Sequence, residues 1–174
     1  MDLTRYGTRD APLRASSLPA LVRCPLRQVL LAEGLISDES GEAAQTGSLF
    51  HSIASVWHGN GHDAENAVAS AIARDGAKFP LANGDRARKW FDAYQADPRN
   101  RDAVLSGNEL RVEIAIPAAD HDPTGTPVWI VGTLDQIREE SGGHRVYDLK
   151  TGRSTGLAML DLYAYQLAAY TVAA

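Results

Sequence analysis

The sequence of 174 residues holds a single cysteine, Cys24. No internal disulfide can form, and the soft ligands of a zinc or iron–sulfur site are missing. Apolar residues never run near the roughly 20 that a membrane helix needs. The opening Met1-Asp2-Leu3-Thr4-Arg5 also lacks the apolar stretch of a signal peptide. The expectation is a soluble, cytoplasmic protein without membrane contact. Positive charge is scarce as well: 17 Lys+Arg stand against 22 Asp+Glu, a formal net charge of −5. That balance argues against a general basic coat for nucleic acid, yet leaves room for a local acidic site that holds a metal ion. No glycine loop of the Walker type is present, so ATP use by this chain is not expected. Repeats, low-complexity segments and long linkers are absent too.

What is present reads as ordinary globular composition, 44% hydrophobic and 22% charged, with enough chain for a real core. Residues 1–15, with Gly7 and Pro12, read as an irregular lead-in. Ser16-Ser17 then offers an N-cap and Pro19 suits a first turn. Leu18, Leu21, Val22, Leu26, Val29 and Leu30 recur at helical spacing up to Gly34, with Pro25 expected to kink or split the helix. A second helix runs from about Glu42 to the Gly59-Asn60-Gly61 breaker, with Leu49, Ile53, Val56 and Trp57 on one face. Further helices are expected over about 63–73 and 85–96, the latter closed by Asp97-Pro98. After residue 105 the period changes to two. Leu110, Val112, Ile114 and Ile116 mark one strand, 128–138 a second and 145–150 a third, before a last helix from about Leu157. Helices, a strand meander and a helix make an α/β (α+β) layout on a small sheet.

The chemistry concentrates in the last two strands, joined by Glu139-Glu140-Ser141-Gly142-Gly143-His144. With Ser141-Gly142 as the tight loop of a hairpin, Asp135 faces Asp148; with Gly142-Gly143, it faces Lys150. Either register puts all three polar groups on one face. Directly opposed side chains have Cβ atoms about 4.5–5.5 Å apart, close enough for two carboxylates to share a hard divalent cation. The apolar neighbours Leu134, Ile137, Val146 and Leu149 suggest an otherwise buried sheet, where unpaired carboxylates are costly. The plain alternative is a cross-strand ion pair between Asp135 and Lys150. Two helical i,i+4 pairs also stand out. Gly47 could clear space beside His51, and Gln166 lies one turn from Tyr170.

These segments resemble a known family. Val131-Gly132-Thr133-Leu134-Asp135, followed by Asp148-Leu149-Lys150-Thr151-Gly152, is similar to the "GxxD … DxKTG" core of the PD-(D/E)XK nuclease superfamily, in its RecB-like exonuclease branch. Ser17-Leu18 through Cys24-Pro25-Leu26-Arg27 resembles that branch's "SxL…CPxR" helix. Thr46-Gly47-Ser48-Leu49-Phe50-His51 resembles its "GxxxH" motif, and Tyr165 to Tyr170 its "QLxxY" helix.

The resemblance implies a restriction-endonuclease-like core over residues 16–174, a small mixed sheet flanked by helices, and Mg²⁺- or Mn²⁺-dependent hydrolysis of DNA in recombination, repair or phage DNA processing. It assigns His51, Asp135 and Asp148 as metal ligands, with the Leu149 backbone carbonyl as a fourth. Lys150 becomes the catalytic cation beside Asp135 and Asp148, Glu113 an auxiliary acid, and Gln166 and Tyr170 residues that shape the site or hold DNA. DNA is the implied partner, together with a helicase or recombination protein. A nuclease-fold DNA-binding scaffold that no longer cuts is the competing class, and the presence of His51, Asp135, Asp148 and Lys150 together argues against it. Part of the branch holds an iron–sulfur cluster through a cysteine at the place of Cys24 and three more; a single cysteine excludes that cluster here, and Cys24 reads as a small buried hydrophobe. The chain stops in an apolar helix without a cap, so it reads either as a minimal nuclease or as a fragment shortened at its C-terminus.

Overall fold

The computed structural model describes residues 6–37, 40–117, 125–151, 164, 166 and 168–170. The chain divides into two compact units. The first comprises residues 1–38, 111–134 and 153–174, the second residues 39–110 and 135–152. The boundary falls inside two long strands, β2 (Leu105–Ile116) and β3 (Val128–Glu140). Two shorter strands, β1 (Leu13–Arg14) and β4 (Gly143–Tyr147), complete a four-stranded sheet in which β3 lies between β1 and β2 and also pairs with β4. The sheet is mixed, because β1 runs parallel to β3 and β4 antiparallel to it. With its helices this is the expected α/β class.

In the first unit, Leu13 and Arg14 pair with Ile130 and Val131, so a short strand forms within the segment read as irregular. The backbone N–H of Trp129 donates to the Gly7 carbonyl at 2.6 Å, and the Arg9 guanidinium lies over the Trp129 ring. The helix expected from Ser17 is split at Cys24-Pro25 into α1 (Leu18–Arg23) and α2 (Pro25–Ala32). Proline has no N–H to continue the ladder, but suits the first turn of a new helix, where that N–H would have no partner. Ser17 occupies the N-cap position without a side-chain cap bond. Neither helix buries a residue, and Val22 and Leu26 are exposed. Cys24 is exposed too, contrary to its reading as a buried hydrophobe, because it sits at the corner between the two helices. Gly132 is required by close approach: a Cβ there would lie 2.6 Å from the Tyr170 ring and 3.0 Å from Ala15. Most of the last helix lies outside the described residues.

The second unit is built on three helices, α3 (Glu42–Gly59), α4 (Ala64–Asp75) and α5 (Gly84–Ala96). Their starts follow from capping. The carboxylate of Asp63 accepts the Asn66 N–H at 3.0 Å and the Asn83 side chain accepts the Arg86 N–H at 2.9 Å. Leu49, Ile53 and Trp57 of α3 are buried against Ala67 and Ala71 of α4 and Phe91 and Tyr94 of α5, the alanines allowing close helix approach. Each large apolar side chain buried here contributes about 1.5–3 kcal/mol. A short helix α6 (Pro98–Arg101), capped by Asp97, follows α5 where the sequence suggested only a breaker.

The inward face of β3 continues Ile130 and Leu134 with Gln136 and Arg138, so the hairpin is less apolar than its neighbours suggested. These buried polar groups are paired. Arg138 donates to Gln136 Oε1 at 2.6 Å, to Asn100 Oδ1 at 2.9 Å and to the Arg99 carbonyl at 2.9 Å, and it stacks on Tyr147. Gln136 Nε2 donates to the Tyr94 hydroxyl at 2.6 Å, and that hydroxyl lies 2.8 Å from His58 Nε2. Since Tyr94 accepts from Gln136, its own proton points to His58, which suits a neutral imidazole. Burial, then the charges of His62 and Arg138, lower the His58 pKa to about 4.

A depressed histidine pKa contributes stability above the ordinary value near 6.5 that is lost as pH falls towards 4, because the unfolded chain takes up the proton first. Unfolding free energy from urea titrations should therefore fall over that window, and His58→Gln should flatten the decline. An unchanged slope in the variant would remove His58 as its cause.

Candidate metal centre

Within the second unit, α3 carries both residues of the first motif. Gly47 lies one turn before His51, and a Cβ at Gly47 would stand 2.7 Å from Thr151 Oγ1. The glycine therefore admits the segment that follows β4 against the helix. That segment contains Asp148, Leu149 and Lys150. Leu149 is partly buried against the three-helix core, which ties the segment to α3 from its apolar side.

The hairpin register places the acids. Gln136 pairs with Tyr147 and Glu140 with Gly143, which makes Ser141-Gly142 the loop, with Gly142 at a φ of 107° that other residues rarely adopt. The pairing has the register of the first arrangement but ends at Gln136 and Tyr147, so the strand expected over 145–150 stops short and Asp148, Leu149 and Lys150 follow beyond its end. Asp135 is held from two sides. Its Oδ1 lies 3.3 Å from His51 Nδ1, and its Oδ2 accepts the Leu149 N–H at 2.6 Å. Leu149 thus meets the site through its N–H.

Glu109 joins them from β2. One donor atom each from His51, Glu109 and Asp135 lies within 4.8 Å of the others. Glu109 has a φ of 51°, a left-handed conformation unusual for a residue with a Cβ and inside a strand the mark of a bulge that re-aims the side chain. Asn108 beside it donates from Nδ2 to the Ser55 carbonyl of α3 at 2.9 Å, anchoring the distortion. The sequence reading missed Glu109 because the apolar alternation starts at Leu110. The available signal was Gly107-Asn108, a pair of turn-forming residues directly before a period-two run.

Lys150 Nζ lies 2.5 Å from Asp148 Oδ2, and the Asp148 side chain is only 9% exposed. The remaining expected residues lie in the first unit. Glu113 forms an ion pair with Arg111 at 3.5 Å, while Gln166 Nε2 donates to the Tyr170 hydroxyl at 3.0 Å and Tyr170 covers Gly132. The structure therefore gathers His51, Asp135, Asp148, Leu149 and Lys150 in one unit with Glu109, and keeps Glu113, Gln166 and Tyr170 in the other.

The electrostatics are those of a crowded anionic cluster. Burial raises the Asp148 pKa, with Lys150 opposing and Asp135 adding to the rise. Glu109 is open to solvent as a residue, but loss of water around its carboxylate, and then the charge of Asp135, raise its pKa as well. For His51, burial works against the charged form, and the hydrogen bond and charge of Asp135, helped by Glu109, outweigh it, so the net shift is upward. A proton on the imidazole and a divalent cation are thus alternative ways to neutralise the same carboxylates.

Whether the donors suit a cation can be judged from their spread. Two ligand atoms at about 2.1 Å from one ion are separated by at most about 4.2 Å. The cluster is a small side-chain adjustment from that limit, and one imidazole with two carboxylates is a fitting donor set for a divalent metal. No other group of three such residues qualifies among the described residues.

A family model for the PD-(D/E)XK nuclease superfamily matches residues 12–174. No curated protein matches the chain. No helix among the described residues is long and apolar enough to cross a membrane.

Gly47→Ala tests the contact that seats the 148–151 segment. Alanine improves a helix interior by about 1 kcal/mol over glycine, so the fold should survive. Thr151 is short and β-branched and must move, drawing Lys150 and Leu149 with it. Affinity for Mn²⁺, measured by calorimetry, should fall about tenfold with the melting temperature held or raised. Unchanged affinity would show that the close approach does not position the cluster.

Proposed function

We propose that this chain, which belongs to the PD-(D/E)XK nuclease superfamily, is a divalent-metal-dependent deoxyribonuclease of the RecB-like branch. On this reading it acts as an exonuclease in recombination, repair or phage DNA processing, beside a helicase or recombination protein. The observation that carries the proposal is the convergence of His51, Glu109 and Asp135 next to the Asp148–Lys150 ion pair. The branch and the exonuclease role draw their support from the "CPxR", "GxxxH" and "QLxxY" likenesses at Cys24-Pro25-Leu26-Arg27, Gly47 to His51 and Gln166 to Tyr170.

In this mechanism His51, Asp135, Asp148 and Glu109 would hold the cation, joined by the Leu149 carbonyl. When bound, the cation supplies an activated water and neutralises charge developing on the phosphate. The chain's own residues do the positioning. The Leu149 N–H, by binding Asp135 Oδ2, leaves Oδ1 turned to the His51 side. Asp148 keeps the Lys150 ammonium at a set place, from which its charge would orient the attacking water or stabilise a phosphoryl oxygen. Bulging at Glu109 brings a third carboxylate without lengthening the hairpin. Mg²⁺ demands near-ideal octahedral oxygen ligation, so the imidazole in the set favours Mn²⁺.

Purified protein should degrade DNA in Mn²⁺ or Mg²⁺ and not in EDTA. Asp148→Asn and Lys150→Ala should each lower the rate by about 10²–10³-fold while leaving DNA affinity in Ca²⁺ within a few-fold. Wild-type rates in both variants would refute the assignment.

A further inference from the structure

Beside the cluster lies a second group of charges that the reading above does not use. α4 ends at Asp75, whose side chain is 8% exposed. Its Oδ2 accepts the Ser52 hydroxyl at 2.6 Å and Arg74 Nε at 2.7 Å, and its Oδ1 accepts from Lys78 Nζ at 2.6 Å. Arg74 also donates from Nη2 to Ser52 Oγ at 3.0 Å. Ser52 is the residue after His51 on α3, so these cations are anchored one residue along the helix from the cluster.

Two features set this group apart from surface ion pairing. First, one carboxylate serves two cations, leaving a surplus positive charge at a defined place. On the exposed surface of the unit Arg99, by contrast, meets Asp97, and Arg88 meets both Glu65 and Asp92. Second, the carboxylate is inside and the cations are outside: the Arg74 and Lys78 side chains are 55% and 67% exposed. Asp75 and Ser52 take only some of the donors these two side chains carry, and both side chains are more than half exposed. Both side chains are already ordered, which reduces the entropy lost when an anion binds. A fork and a point charge held together suit a phosphate diester. The Arg74 charge also reaches Glu109 of the cluster.

We propose that Arg74 and Lys78, held by Asp75 and Ser52, form a clamp for a backbone phosphate of the nucleic-acid strand entering the metal centre. The proposal rests on the nuclease reading for the identity of the anion. It also locates positive charge that the overall balance of −5 conceals. The clamp is a substrate-positioning device, so it bears on affinity and its salt dependence more than on the chemical step.

The test is binding of a fluorescent single-stranded oligonucleotide by the full chain in Ca²⁺, from 50 to 300 mM KCl, with cleavage in Mn²⁺ followed in parallel. Each lost phosphate contact lowers the slope of log affinity against log salt by about 0.7 on a single strand. Arg74→Gln and Lys78→Ala should each show that decrease, the double variant about twice it, and Arg99→Gln none. The charge-preserving pair Arg74→Lys and Lys78→Arg should retain the wild-type slope, separating lost charge from lost structure. Cleavage by the wild type with unchanged slopes in the neutral variants would overturn the clamp and leave the nuclease reading standing. Reduced slopes without cleavage in any cation would support the clamp and sink the nuclease reading. Absence of oligonucleotide binding by the wild type would overturn the clamp.

Discussion

The site depends on one carboxylate. Asp135 takes the Leu149 N–H on one oxygen and faces His51 with the other, so it joins the β3–β4 hairpin to helix α3 within the second unit. A carboxylate so placed cannot rotate without breaking a 2.6 Å hydrogen bond. The neighbouring geometry exists to allow that junction. Gly47 lets Thr151 approach, Leu149 is packed against the three-helix core, and the hairpin ends with Tyr147 paired to Gln136, directly before Asp148. Burial of charge is the main cost of this convergence, with repulsion from Asp135 added to it; both raise the pKa values of Asp148 and Glu109, and Lys150 and His51 offset part of the rise.

Much of this was legible in the residues, for identifiable reasons. Helices α3, α4 and α5 follow from apolar periodicity and from caps at Asp63 and Asn83, which are local signals. The proline split at Cys24-Pro25 is equally local. The two hairpin registers could be enumerated because a tight loop allows few choices, but choosing between them needed the structure. Burial was harder to foresee. Cys24 is exposed because α1 and α2 bury nothing, a property of what surrounds them rather than of their own pattern.

Polar residues in unexpected places were the least legible. Gln136 and Arg138 lie on the inward face of β3, where alternation predicts apolar side chains, and are tolerated because Tyr94, Asn100 and the Arg99 carbonyl satisfy them. Glu109 depends on a left-handed backbone that no periodicity announces. Asp75 is inside only because Ser52, Arg74 and Lys78 meet it, and those partners come from two helices and the turn after them. In each case the sequence carries the residue, while at least one group that steadies its position comes from far along the chain: Tyr94 for Gln136, Ser52 for Asp75 and Ser55 for the Asn108 beside Glu109.

Net charge illustrates the same point. A total of −5 does not reveal that Glu109 and Asp135 converge on His51, or that Arg74 and Lys78 share the single carboxylate of Asp75. The central claim is that Asp135 organises a divalent-cation site, and the most direct measurement is calorimetric Mn²⁺ titration of the wild type and Asp135→Asn at pH 6 and pH 8. The carboxylate of Asp135 favours the protonated His51 imidazole, so proton and cation compete for the same site. The wild type should therefore bind more tightly at pH 8 and release protons into the buffer, and Asp135→Asn should lose most of the affinity at both values. Equal Mn²⁺ binding by the variant, or wild-type affinity indifferent to pH, would contradict the account.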